Sequence, residues 1–186
     1  IMIKDDKIIL GLDPGTNIMG YGIIKSQKSK LKLVQYGNIN LKKYTEHGEK
    51  LKLIFNKVNE LIDEYKPNEI SIEAPFYGKN VQSMLKLGRA QGVAIVAGLN
   101  KEIPVVEYAP KKIKQSVTGN GNASKDQLSE MVMRTLNFKK NDSIKGYDAT
   151  DALGAAICHF YQKSSNKNTK KSWKEYIEIN SDKIIK

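Results

Sequence analysis

The chain is poor in the residues that staple or clip small folds together. It holds one cysteine, Cys158, in 186 residues. That excludes an internal disulfide and a thiolate zinc cluster. A reducing cytoplasm is the simplest setting for it. Histidine is almost as scarce, with two residues, His47 and His159. Neither has metal-ligand company in sequence, so both read as structural, and Cys158 reads as a small buried apolar residue. No apolar run nears the roughly 18 residues that a membrane span needs. No secretory pattern opens the chain, whose natural start reads as Met2. Acids are the scarcer charge: 20 Asp and Glu stand against 31 Lys and Arg, for a net charge of +11. That imbalance points to a polyanionic partner. With 40% hydrophobic residues, this length suits one domain with a full core. The spacing places that domain at residues 2–162. The Lys-, Asn- and Ser-rich stretch 163–186 reads as a basic, flexible tail with a short helix around Trp173–Ile179.

What is present begins with Ile8–Ile24. Ile8–Leu12 is a short apolar run, as in a strand buried on both faces. Asp13 ends it, Pro14-Gly15 turns the chain, and Ile18–Ile24 returns as a second strand. Leu31–Ile39 alternates in part and predicts a third strand, completing an antiparallel meander. Glu46–Tyr65 predicts a helix, with an apolar stripe from Leu51 to Tyr65, Thr45 as cap and Pro67 as stop. Glu69–Ala74 predicts a fourth strand, ended by Pro75. Asn80–Leu99 predicts a long helix rich in small residues. Gly88 and Gly92 each cost about 1 kcal/mol there, which suggests a close backbone approach. Val105–Tyr108 predicts a fifth strand and Ala109–Val117 a short helix. Ser124-Lys125-Asp126-Gln127 is a capping box that opens a helix to about Leu136. Tyr147–Tyr161 predicts a last helix. The fold class is α/β: a five-stranded mixed sheet, three antiparallel strands then two parallel, with helices on both faces.

Four acids stand out against this frame. Asp13 and Glu73 each end an apolar strand ahead of a proline. If the first and fourth strands are parallel neighbours, both carboxylates lie at the carboxyl end of the sheet, where such folds bind ligands. Side by side they repel unless a cation or a proton joins them. Asp148 and Asp151 are spaced i, i+3 and share one face of the last helix. Taken alone, Asp13 also reads as a turn cap and the helical pair as dipole complementation. Taken together, the four make an all-oxygen site suited to Mg²⁺, with Mn²⁺ able to substitute. Two such ions about 4 Å apart align a water and a leaving oxygen for phosphodiester displacement.

These segments, LGLDPGTNIMGYGII, SIEAPFYGKNVQSMLKLGRAQGVAI, EYAPKKIKQSVTGNGNASKDQL and YDATDALGAAICH, resemble the RuvC-type Holliday-junction resolvases in order and spacing over residues 8–161. The resemblance implies an RNase H-like fold, a homodimer and a Mg²⁺-dependent endonuclease. It further implies symmetric paired nicks in a four-way DNA junction and work with the RuvA–RuvB branch-migration machinery. By motif it assigns catalysis and metal binding to Asp13, Glu73, Asp148 and Asp151. Some members carry histidine at the position of Asp148, so a four-carboxylate site and a subsidiary role for Asp148 both stand open. Asn17 replaces a basic residue common in the family.

DNA-binding candidates surround the acids. Phe76, Tyr77, Lys79 and Asn80 follow Glu73 as an aromatic and basic loop suited to unstacked bases. The resemblance sets Phe76 where the family wedges an aromatic at the crossover. Lys114 and Lys125 match basic positions of the family, with Lys125 in the first turn of the capped helix, where a phosphate is held well. Arg89, Lys111 and Lys112 are weaker candidates. Met84, Gly88 and Gln91 share a stripe of the long helix that suits a dimer contact. Two other classes compete: a catalytically silent nucleic-acid binder of the same fold, and an actin-like ATPase fragment suggested by Asp13-Pro14-Gly15-Thr16. Four acids repel DNA without a metal, which disfavours the first. The chain lacks the second lobe that the other needs.

Overall fold

The computed structural model describes residues 6–27, 30–75, 80–138 and 146–166, with the side chains of 164–166 excepted. Strands β1 (Lys7–Asp13), β2 (Ile18–Gln27) and β3 (Lys30–Asn40) precede helix α1 (His47–Tyr65). Strand β4 (Glu69–Glu73), helix α2 (Val81–Leu99) and strand β5 (Val105–Tyr108) follow. Helices α3 (Pro110–Thr118), α4 (Lys125–Thr135) and α5 (Asp148–Asn166) complete the described chain. The strands form one sheet in the order β3-β2-β1-β4-β5. β1 pairs antiparallel with β2, and β2 with β3, while β1–β4 and β4–β5 are parallel. This is the mixed sheet that the sequence predicts.

Strand alternation divides the core. Leu10, Leu12, Ile70 and Ile72 face α1 and α2, meeting Ile54, Val58 and Ile62 of the first and Ala90, Ala94 and Ala97 of the second. Ile9 and Ile24 face the other way, against Ile113 and Val117 of α3, Leu128 and Val132 of α4, and Leu153, Ala156 and Ile157 of α5. Each fully buried Leu or Ile contributes about 1.5–3 kcal/mol, so two such layers hold the sheet from both sides. In the β1–β4 register Leu12 stands beside Ile72. The next residues, Asp13 and Glu73, therefore fall on the α5 face at neighbouring strand ends.

On that face the sheet carries glycine where side chains would block α5. Gly20 pairs with Asp13 and Gly22 with Gly11. A Cβ on Gly20 would lie 1.9 Å from the Asp148 carbonyl oxygen, and one on Gly11 2.0 Å from that of Ala152. Helix α5 thus rests on the sheet backbone to backbone, at a depth that only glycine permits.

Several predicted details shift. Helix α1 starts after Glu46, not Thr45, and Glu46 makes no side-chain cap. It ends at Lys66, which takes a left-handed conformation (φ 47°) and donates its N–H to Ile62. The chain reverses there, one residue before Pro67. The close backbone approach expected at Gly88 and Gly92 does not occur among the described residues: a Cβ on either would meet nothing within 4 Å there. Gln91 does not share the outward stripe. It is buried, and its amide donates to Glu107 Oε2 at 2.6 Å. Helix α5 runs past its expected end at Tyr161 to Asn166, and the Lys163 ammonium donates to Glu69 at 2.6 Å. The predicted helix around Trp173–Ile179 lies outside the described residues.

Candidate active site

Asp13 ends β1 and is followed by a turn that is held from two sides. The Lys50 ammonium of α1 donates to the Thr16 carbonyl at 3.0 Å, and the Leu41 N–H donates to the Asn17 carbonyl at 2.9 Å. Gly15 permits the turn, because a Cβ there would sit 1.7 Å from the Ile18 carbonyl oxygen. Glu73 ends β4, and the Ala74 N–H donates to the Tyr108 carbonyl of β5 at 2.9 Å. Asp148 and Asp151 lie in the first turn of α5. Asp151 is 6% exposed.

The structure brings all four acids within electrostatic reach of one another. Burial, then the charges of Glu73, Asp151 and Asp148, push the Asp13 carboxyl well above the usual range, against an opposing pull from Lys125. Burial and the neighbouring Asp151 raise Glu73 to about 7, with Lys125 and Lys114 opposing. Burial also raises Asp151, although the Lys125 hydrogen bond works the other way. Lys125 Nζ sits 2.9 Å from Asp151 Oδ2. Burial works to lower its pKa, but the bond and charge of Asp151, helped by Asp13 and Glu73, keep it raised. The same ammonium lies 5.6 Å from the centre of the Tyr147 ring, and the Tyr147 hydroxyl donates to Asp126. Among the described residues no three acids close as a finished metal cage. Lys125, bonded to Asp151 and within electrostatic reach of Asp13 and Glu73, offsets part of their charge, as expected of carboxylates that repel without a cation.

The donor set fits a hard divalent ion. All four groups are carboxylates, and burial together with mutual repulsion makes their shared negative charge costly until a cation offsets it. No histidine or thiolate competes. His159 is 1% exposed and is engaged elsewhere, with Glu69 and Tyr108.

The basic candidates divide. Lys114 and Lys125 come to the acids and line a trough that reaches Glu73 and Asp151, together with Lys111. Arg89 does not; it borders a small apolar cleft between α1 and α2 with Leu51, Phe55 and Val96. Lys112 does not line the trough; its carbonyl faces Cys158 Sγ at 3.9 Å. Asn80 caps α2, its side-chain oxygen accepting from the Ser83 N–H at 3.0 Å. Phe76, Tyr77 and Lys79 lie outside the described residues. Sequence reasoning missed Lys50, Tyr147 and the glycines beneath α5. Tyr147 adjoins Asp148, and Gly20 sits two residues from Ile18 in a strand with no turn to need it, which are the available signals.

A mixed sheet of this order, with acids at the ends of two parallel neighbours facing acids on the closing helix, defines an RNase H-like protein of the nuclease kind. The family model "Crossover junction endodeoxyribonuclease RuvC" matches residues 9–159, and the chain belongs to that family. The crossover junction endodeoxyribonuclease RuvC of Cytophaga hutchinsonii is 56% identical over 179 residues, spanning 96% of this chain and 88% of that protein. The structure of Thermus thermophilus RuvC in complex with Holliday junction substrate is similar with a TM-score of 0.78 at 25% identity, covering 86% of this chain and 96% of that one. The yeast mitochondrial Holliday junction resolvase Ydc2 shares the fold at a TM-score of 0.64 and 15% identity, over 86% of this chain and 82% of its own.

Proposed function

We propose that the chain is a Mg²⁺-dependent endonuclease that resolves four-way DNA junctions by symmetric paired nicks, acting as a homodimer alongside RuvA–RuvB in the cytoplasm. The observation that carries this reading is the meeting of Asp13, Glu73, Asp148 and Asp151 beside Lys114 and Lys125 in a chain of net charge +11. In this reading Asp13, Glu73 and Asp151 hold the metal. Asp148 serves as a fourth ligand or supports the charge balance from the helix terminus. Two ions held there would lower the pKa of the attacking water and would offset charge on the departing 3′ oxygen.

The chain's own part is placement. Gly11 and Gly20 let α5 carry its acids down to the strand ends. Lys125, paired with Asp151 at 2.9 Å, would be free to meet the scissile phosphate if a divalent ion took over the acids, and Lys114 would hold the same strand. The lysines attract the polyanion, and the acids keep it from binding productively until metal is present. Duplex and junction offer the same phosphates, so selection between them rests on shape.

Incubation with a synthetic four-way junction and a matched duplex, in Mg²⁺ or in chelator, tests this directly. Paired nicks should appear in the junction with Mg²⁺ alone. Asp13→Asn should cut at least 100-fold more slowly while binding the junction with unchanged affinity in Ca²⁺. Undiminished cutting by that variant would remove Asp13 from the metal site.

A further inference from the structure

Lys125 is held from more than one side. Its ammonium lies 2.9 Å from Asp151 Oδ2 and 5.6 Å from the centre of the Tyr147 ring. The Tyr147 hydroxyl donates to Asp126, the residue after Lys125 in the first turn of α4. The Tyr147 carbonyl accepts the Asp151 N–H at 2.7 Å and the Thr150 hydroxyl at 2.7 Å. These contacts close a circuit. From Asp151 it runs through the main chain to Tyr147, across the ring to α4, and back along Lys125 to the Asp151 carboxylate. The fold itself makes little use of that ring. Tyr147 is 43% exposed and belongs to neither core layer. Its carbonyl would serve the start of α5 equally under any side chain. Its ring face and its hydroxyl both go to one turn of α4.

We propose that Tyr147 is the positioning residue for Lys125, its ring keeping the ammonium beside the strand-end acids and in reach of the phosphate being cut. The proposal rests on the nuclease reading above. Lysine carries a compact charge on a long flexible stem, and the Lys125 side chain is 57% exposed, so the ion pair with Asp151 fixes only its tip. That pair is also the contact most easily given up. A divalent ion taking over the acids would compete with the ammonium for the same carboxylate. The cation–π contact and the Asp126 anchor would remain. An ammonium that stays near the reacting phosphate offsets developing charge without a search at each turnover, which affects rate more than affinity. In this role Tyr147 touches neither phosphate nor metal, so its loss is felt only through Lys125.

The test uses the full chain, at saturating protein, on a four-way junction in Mg²⁺. Tyr147→Leu should nick about 10-fold more slowly, with no rise in the Mg²⁺ needed for half-maximal rate and little change in junction affinity in Ca²⁺. Tyr147→Phe keeps the ring and loses the Asp126 bond, and it should recover most of the rate. In a Lys125→Met background, Tyr147→Leu should cost nothing further. A readout apart from cutting comes from the metal-free chain with ¹³C-labelled lysine. The Lys125 Cε resonance, recognised by its absence in Lys125→Met, should be displaced by the ring current in the wild type and in Tyr147→Phe. It should move to the position of solvent-exposed lysines in Tyr147→Leu. Losses that multiply in the double variant, or a Lys125 resonance unmoved by Tyr147→Leu, would overturn the proposal. So would a raised Mg²⁺ requirement, which would mean that Tyr147 acts through its neighbour Asp148. Failure of the nuclease reading shows separately, as no cutting by the wild type in Mg²⁺, and it removes the positioning role even if the resonance moves as expected.

Discussion

The distance between Asp13 and the acids of α5 is set by a residue with no side chain. Gly20 lies across from Asp13 in the sheet and directly under the first carbonyl of α5. An alanine methyl 1.9 Å from that oxygen forces the start of the helix off the sheet by about an ångström or more. Misplacement of that size costs about 100-fold in rate where geometry governs the chemistry. Gly20→Ala should therefore cut junctions about 100-fold more slowly, need more Mg²⁺ for half-maximal rate, and keep its junction affinity in Ca²⁺. Gly48→Ala is the matched control, because a Cβ at Gly48 meets nothing within 4 Å. A metal titration decides the matter: an unshifted Mg²⁺ requirement in Gly20→Ala would mean that α5's depth does not set the site. The four acids are legible in the sequence, because each interrupts an apolar strand or repeats at helical spacing. The role of Gly20 is not legible there, since the surface it accommodates comes from a helix more than a hundred residues later.

Among elements, α5 does two jobs at its two ends. Its start carries Asp148 and Asp151, and its second half is tied to the sheet through Glu69. His159 Nε2 lies 2.7 Å from Glu69 Oε2, and His159 Nδ1 lies 2.8 Å from the Tyr108 hydroxyl. Lys7 and Lys163 donate to the other Glu69 oxygen at 2.9 and 2.6 Å. Burial works to raise the Glu69 pKa, but the hydrogen bonds from Lys163, Lys7 and His159 prevail and hold it at about 2. A carboxyl that titrates lower in the folded chain than in the unfolded one stabilises the fold above its ordinary value of 4.5. That contribution is lost as the pH falls from there toward about 2. Glu69→Gln strands His159 and two lysines, at a cost of about 2–4 kcal/mol. Its unfolding midpoint in urea at pH 7 should fall accordingly, and the gap to wild type should narrow below pH 4.5. Cutting per folded molecule should stay intact, because the cluster lies away from the acids. An unchanged midpoint would mean that the charges are satisfied by water. No spacing rule joins residues 7, 69, 108, 159 and 163, so this cluster is illegible in the sequence, which is why the helix reads as ending at Tyr161. The capping box is legible because it is local: Ser124 and Gln127 bond each other's backbone as their spacing predicts.

For the whole molecule, the feature that the single chain leaves unexplained is the outward face of α2. Val81, Leu85, Val96 and Leu99 are each more than half exposed. Gly88 and Gly92 lie between them with open space above. These positions recur every three to four residues, so they form one stripe along the helix. A solvent-facing helix gains nothing from mid-helix glycines, which cost about 1 kcal/mol each. Between two copies of the chain, the same glycines allow helix backbones to approach closely, and the flanking Leu and Val side chains bury apolar surface. We propose a dimer on this face, which would account for the close approach that the sequence suggests and that the described residues of one chain do not make. Leu85→Lys should leave the melting temperature of the monomeric fold nearly unchanged, since Leu85 touches solvent. It should shift the chain to a monomer in sedimentation or light scattering at micromolar concentration. Nicking should then lose its symmetry, with one strand of a junction cut per encounter instead of two. A variant that stays dimeric and still makes paired nicks would move the interface to another face.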